Sequence, residues 1–123
     1  FISYSDIPQL YAISDIGVIP SLCNDAFNLT TIEYMQNETP VIVSSNGAMK
    51  ELITSDCGIV VEDDGDFIES LRRAITILLN DDLRSIMGKN AKLQAIKFSK
   101  DIYCERFNTL LNEFETELYN NEE

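Results

Sequence analysis

The sequence predicts a doubly wound α/β fold: a partial parallel sheet of about three strands, flanking helices, and a helical C-terminus. Three observations lead there. Three short β-branched apolar runs, Ile16 to Ile19, Val41 to Val43 and Ile59 to Val61, are bounded by Pro20, Pro40 and Gly58, as buried parallel strands are. Helix-period stretches alternate with these runs, the pattern of strand–helix–strand crossovers. After the third run the alternation stops and only three- and four-residue periodicity remains.

The elements follow in order. From Phe1 the chain reads as the end of a strand and a turn; with no initiator Met, it is read as a piece of a longer polypeptide. A helix is predicted over about Ile7 to Ile13, a second over Leu29 to Gln36, and a third over Ala48 to Ile53, each lying between strands. After the acidic turn Glu62-Asp63-Asp64-Gly65, Asp66 is a candidate N-cap, with Glu69 three positions on as the second half of a capping box. Phe67, Ile68, Leu71, Ala74, Ile75, Leu78 and Leu79 then form one stripe. Asn80, Asp81 and Asp82 interrupt it. A further helix is predicted from Leu83 through Ile86 and Met87 toward Ile96, and a last one from an N-cap at Ser99. In that last helix Ile102, Tyr103, Phe107, Leu110, Leu111, Phe114 and Leu118 share a face. These stripes are expected to face the core. The acidic tail Asn120 to Glu123 is expected to fray.

Composition narrows the function. The 123 residues carry 21 acidic and 9 basic side chains, a formal net charge of -12. That field repels nucleic acid and anionic lipid, so no nucleic-acid partner is expected. Arg84, Lys89, Lys92, Lys97, Lys100 and Arg106 gather in one stretch, read as a solvated helix face, with contact to an anionic membrane surface as the alternative. Cys23, Cys57 and Cys104 are odd in number and far apart, so neither a disulfide framework nor a zinc ribbon is indicated. A reducing, cytoplasmic setting is expected, membrane-peripheral at most, because no segment approaches the ~18 apolar residues of a spanning helix. The sequence contains no His. This excludes Ser-His-Asp and Cys-His nucleophilic arrangements and His-based zinc motifs within the chain, and no metal ligand set is predicted.

In an open parallel sheet, ligands bind at the carboxyl ends of the strands, where loops lead into helix N-termini. Two loops qualify: Ser21 to Leu29, before the helix carrying Glu33, and Ser44 to Ala48, before the helix carrying Glu51. Small residues in both allow close approach to the backbone. Ser44, Ser45 and Asn46 suit capping of the short helix that follows, with contact to a ligand as the alternative.

The order of residues through these loops is more specific. Pro20 and Ser21 close a strand, and Asp25, Ala26, Phe27, Asn28, Leu29, Thr30, Thr31, Ile32, Glu33, Tyr34 and Met35 follow. This resembles the group 1 retaining glycosyltransferases, relatives of glycogen and sucrose synthases with two Rossmann-like domains. Their signature sets an acidic residue before a Gly-Phe-Gly-Leu-like turn and a Glu eight positions after it, places held here by Asp25 and Glu33. Ile7, Pro8, Leu10, Tyr11 and Asp15 before the strand are similar to the family's segment, as are Thr39-Pro40-Val41, Gly47, Ala48 and Glu51, Gly58 to Val61, and Ile86, Met87, Gly88, Asn90 and Ala91. The departures are Asp25 where the family has Glu, Ala26 and Asn28 in place of glycines, and Lys50 where Pro is common. Asn28 tolerates the positive φ that a glycine turn would use.

The resemblance implies that residues 1–123 are the C-terminal part of a Rossmann-like nucleotide-sugar-binding domain, truncated at its N-terminus. It implies a nucleotide-diphosphate sugar as donor substrate, with no separate cofactor, and a glycan or lipid-linked acceptor reached through a domain outside this chain. Glu33 would accept from both ribose hydroxyls, amides around Phe27, Asn28, Leu29 and Thr30 would hold the diphosphate, and Asp25, the catalytic candidate, would contact the transferred sugar. Ser21, Asn46, Gly47 and Glu51 are further candidates. The family's diphosphate-neutralising Arg and Lys would precede Phe1, so the chain alone is expected to be inactive. Two other readings stand beside this one: a non-catalytic partner or interaction module of the same fold, and a nucleotide-sugar epimerase. In a sheet of order 3-2-1-4-5-6 the run Ile16 to Ile19 would be the fourth strand, lacking its inner neighbour. A homodimer is therefore expected, through that edge or by exchange of Phe1 to Tyr4.

Overall fold

A computed structural model describes residues 1–120; the fraying expected of the tail falls, from residue 121 on, outside them. After a 3-10 turn at Tyr4–Asp6 come α1 (Ile7–Ala12), β1 (Gly17–Ile19), α2 (Leu29–Gln36), β2 (Val41–Ser44), α3 (Met49–Leu52), β3 (Gly58–Val61), α4 (Phe67–Leu78), α5 (Asp81–Ile96) and α6 (Lys100–Asn120). The three strands form a parallel sheet in the order β1-β2-β3. This is the predicted α/β architecture, with strand ends within a residue or two of expectation. Ile16 stays outside β1, and residues 1–3 form no strand.

β2 is buried along its whole length because helices cover both faces of the sheet. Val41 and Val43 join Ile32 and Met35 of α2, Met49 and Leu52 of α3, and Ala91 and Ala95 of α5 in one core cluster. Ile42, pointing the other way, joins Val61, Ala74 and Leu78 of α4, and Met87. The two-residue period of a strand divides one run between two layers. Each of these larger aliphatic side chains contributes roughly 1.5–3 kcal/mol through burial. α5 reaches α2 through small residues: a Cβ at Gly88 would lie 2.0 Å from the Glu38 carbonyl oxygen. Glu38 itself has φ 59, and its carboxylate meets Lys92 at 2.8 Å.

The register places Ile19 beside Val43 and Ser44 beside Val61. The carboxyl ends of all three strands therefore open on one edge, where the loop after β1 and the loop after β2 meet.

Several local expectations are corrected. Asp66 precedes α4 but its side chain makes no capping bond. Glu69 turns instead to Arg72 (2.6 and 2.7 Å) and Arg73 (3.1 Å), because charge-assisted bonds to guanidinium groups outcompete a bond to a neutral amide. Asn80, read as an interruption, caps α5: its Oδ1 accepts the Leu83 amide at 2.9 Å, so the helix begins at Asp81. Capping residues look like breaks in a stripe because they are polar at the point where a new helix starts. Ser44, Ser45 and Asn46 do not cap α3, whose N-cap position is Ala48, without a side-chain cap bond. Ala26 and Asn28 need no glycine-like conformation; Glu38 is the sole described non-glycine residue with positive φ.

The expectation that every stripe faces the core holds in part. In α4, Ala74 and Leu78 are buried, while Ile68 and Leu79 are exposed. In α5, Met87 is buried and Ile86 exposed. The α6 stripe is exposed throughout Tyr103, Phe107, Leu110, Leu111, Phe114 and Leu118, because α6 runs away from the sheet and packs extensively on no other described element.

Candidate functional site

The loop between β1 and α2 is tied at several points. Asp25 accepts the Phe27 amide at 3.2 Å on Oδ1 and the Asn28 side-chain amide at 2.9 Å on Oδ2. Asn28 in turn caps α2, its Oδ1 accepting the Thr31 amide at 2.9 Å and the Thr31 hydroxyl at 3.1 Å. Asp25 thus fixes the side chain that starts α2, and the remaining first-turn amides, those of Leu29 and Thr30, have no acceptor inside the helix. Leu29 is exposed, and the ring of Phe27 meets Phe98 edge-on at 6.1 Å.

The second loop docks on the first. Ala48 donates its amide to the Asp25 carbonyl at 2.9 Å. Gly47, at φ +67, lies so close that a Cβ there would come within 2.4 Å of the same oxygen. The Ser44 hydroxyl and the Asn46 side-chain amide both donate to the Ser21 carbonyl, at 2.5 and 3.2 Å. Five of the residues singled out in the sequence, Ser21, Asp25, Asn28, Asn46 and Gly47, therefore meet in one cluster at the carboxyl end of the sheet. Glu51 lies apart from it, exposed on α3; its amide donates to the Ala48 carbonyl at 2.9 Å, and its side chain makes no hydrogen bond or ion pair among the described residues.

Glu33 belongs to a neighbouring groove of about 400 Å³ between α1 and α2. Tyr4, Ile7, Pro8 and Tyr11 form one wall, and Thr30, Glu33, Gln36 and Asn37 the other. Thr30 and Glu33 line this wall together because residues three apart share a helix face. At the back, the buried Tyr11 donates its hydroxyl to Glu33 Oε2 at 2.8 Å. Its ring stands edge-on to Tyr34, centroids 4.5 Å apart. Burial raises the Tyr11 pKa above its ordinary value, and the hydrogen bond to the Glu33 carboxylate adds to the rise. Oε1 of Glu33 has no protein partner among the described residues, which leaves it available to a ligand in the groove.

The groove is the part of the site that sequence reasoning missed. Tyr11 stood only in a matching stretch, yet Ile7 and Tyr11 share a face of α1 by their spacing of four, as Glu33 and Asn37 do on α2. Two polar-edged faces of that kind flanking the first strand were a legible signal. No groups of His, Cys, Asp and Glu able to hold a metal occur among the described residues.

Fold and loops together define a parallel α/β domain whose candidate site lies at the carboxyl end of its sheet, beside a helix N-terminus. Residues 1–94 match the family described as "Glycosyl transferases group 1", and the chain belongs to that family. It is 31% identical over 111 residues to a D-inositol 3-phosphate glycosyltransferase of Corynebacterium jeikeium, a match covering 88% of this chain and 26% of the relative. A glycosyltransferase from Rickettsia africae superposes with a TM-score of 0.76 at 28% identity, over 92% of this chain and 31% of that one. Sucrose-phosphate synthase from Thermosynechococcus elongatus gives a TM-score of 0.78 at 24% identity, over 94% and 29% of the two chains, a likeness of fold. The chain spans about a quarter of the length of the curated relatives it matches. No described helix is long and apolar enough to cross a membrane.

Proposed function

We propose that this chain is the C-terminal part of the nucleotide-sugar-binding domain of a retaining glycosyltransferase and supplies the donor site for transfer to a glycan or lipid-linked acceptor. One observation carries the reading: the Glu33 carboxylate, oriented by the buried Tyr11 hydroxyl, stands at the groove one turn from a helix N-terminus. A carboxylate with a free oxygen accepts from the two adjacent hydroxyls of a ribose. The amides of Leu29 and Thr30 suit the diphosphate that follows, since the helix dipole favours negative charge there. The diphosphate leaves with more negative charge than it carries in the donor, so this stabilisation grows along the reaction coordinate. Asp25, bonded to the Asn28 side chain at that helix start, and the Asn46–Gly47 turn packed on its loop are assigned to the transferred sugar.

A second reading is favoured by Asp25 itself. Both its oxygens are bonded within its own loop, which suits a non-catalytic donor-binding module as well as an enzyme. Calorimetric titration of the chain with uridine and guanosine diphosphates and their glucose and mannose conjugates tests the site. Binding of one nucleotide series supports it, and absence of binding to all of them sinks it. For the longer polypeptide, detection of a glycosylated product and the anomeric configuration of its new linkage decide between the enzyme and the binding module, and test retention.

A further inference from the structure

We propose that Thr39, which lies outside the groove, is a positioning residue for it: its buried hydroxyl fastens the end of α1 to the turn before β2 and so holds the Tyr11 hydroxyl on Glu33. The proposal deepens the donor-site reading and rests on it for its effect on ligand binding. Thr39 is 2% exposed. Its Oγ1 stands 3.3 Å from the carbonyl oxygens of both Tyr11 and Ser14, and 3.5 Å from that of Asn37. A hydroxyl has one hydrogen to donate, so it serves one or other of the two nearer carbonyls. Both belong to the end of α1 and the residues just after it. The longer contact, within its own turn, adds little.

The turn that carries Thr39 is a fixed post. The Thr39 amide donates to the Tyr34 carbonyl at 3.2 Å, and the Pro40 carbonyl accepts the Gly17 amide at 3.0 Å, so this stretch is tied to α2 and β1 at once. Glu38 before it, at φ 59, is held against Gly88 and Lys92 of α5. The helix α1 has little hold of its own. It is six residues long, too short to be stable alone, and Tyr11 is its one buried residue. Tyr11 is therefore gripped along its whole length. Its carbonyl faces Thr39. Its ring stands edge-on to Tyr34, which packs over Gly17 where a Cβ would come within 2.7 Å of it. Its hydroxyl donates to Glu33 at 2.8 Å. A shift of α1 by about 1 Å takes that hydroxyl out of hydrogen-bond range, and the Thr39 hydroxyl is the side-chain bond that opposes such a shift from below.

The phenol reports the clasp without any ligand. Burial and the Glu33 carboxylate raise the Tyr11 pKa in the native chain. Thr39→Val, which keeps the volume and removes the donor, should bring it back toward 10.0, and Thr39→Ser should leave it raised. Tyr11→Phe identifies the phenol in these spectrophotometric titrations. For binding, the probes are uridine and guanosine diphosphates and their 2′-deoxy forms, titrated by calorimetry. Thr39→Val should weaken the preferred ribose form roughly three- to tenfold and narrow its advantage over the 2′-deoxy form, because the contact loosened is that of Glu33 to the paired hydroxyls. Thr39→Ser should restore both. In a Tyr11→Phe background, Thr39→Val should add less than about twofold, as expected of a residue that acts through that hydroxyl. A Tyr11 pKa indifferent to Thr39→Val overturns the proposal, as does an unchanged ribose preference or a fully additive loss. Failure of both Thr39→Val and Thr39→Ala to fold, read by circular dichroism, also overturns it and makes Thr39 a residue of the fold alone. If the native chain binds none of the diphosphates, the donor-site reading falls, and the phenol titration still decides the clasp.

Discussion

The hydroxyl of Tyr11 holds one oxygen of Glu33 and leaves the other to the groove, so the two side chains should act as a unit. Glu33→Ala is expected to weaken nucleotide-diphosphate-sugar binding by about 1.5–3 kcal/mol, the range for hydrogen bonds to a charged group. Tyr11→Phe is expected to weaken it by about 0.5–1.5 kcal/mol, because the carboxylate remains but loses its orientation. Calorimetry on both variants checks this. Spectrophotometric titration of the native chain should also show one phenol ionising above the ordinary tyrosine value of 10.0, and Glu33→Gln should lower it. A raised folded-state pKa means that the contribution of Tyr11 to stability is complete below pH 10.0 and is lost as pH rises through the folded value. At Gly47 the constraint is backbone alone: φ is +67 and a Cβ would strike the Asp25 carbonyl oxygen. Gly47→Ala should therefore cost about 1–3 kcal/mol in urea denaturation, and it should lower donor affinity by displacing the Asp25 loop.

At the scale of the element, capping separates two helices that read alike in sequence. Asn80 holds the Leu83 amide at 2.9 Å, whereas Asp66 holds none. Asn80→Ala is expected to destabilise the chain by about 1 kcal/mol, and Asp66→Ala by under about 0.5 kcal/mol, as urea midpoints will show. The first turn of α4 is served differently, by the ion pairs of Glu69. Arg72 and then Arg73 hold its carboxyl down, to a pKa of about 2 from the usual 4.5. A depressed carboxylate pKa places that stabilisation above pH 4.5 and removes it as pH falls toward 2. The pair is open to solvent, so the effect is small. The difference in thermal midpoint between the native chain and Glu69→Gln should be greatest near neutrality and vanish by about pH 2.

On the scale of the whole molecule, the strands and their order were legible because a parallel strand buried on both faces must be a short, continuous β-branched run. Val41 to Val43 could hardly be anything else. The loops of the candidate site were legible too, because a parallel sheet puts its ligand-facing loops after the strands, and the chain order of Asp25, Asn28 and Glu33 does not depend on packing. What sequence order cannot carry is which faces meet. Periodicity marks an apolar stripe on α6 as clearly as on α4, but one lies against the sheet and the other points away from it, since burial depends on where the preceding turn sends the helix. The groove between α1 and α2 likewise exists only because Gly17 to Ile19 brings those helices side by side, setting Tyr11 against Glu33, 22 positions later in the chain. Local pattern follows from the backbone period of each element and is written in the sequence; the partner of each face is a long-range contact, settled when the chain closes on itself.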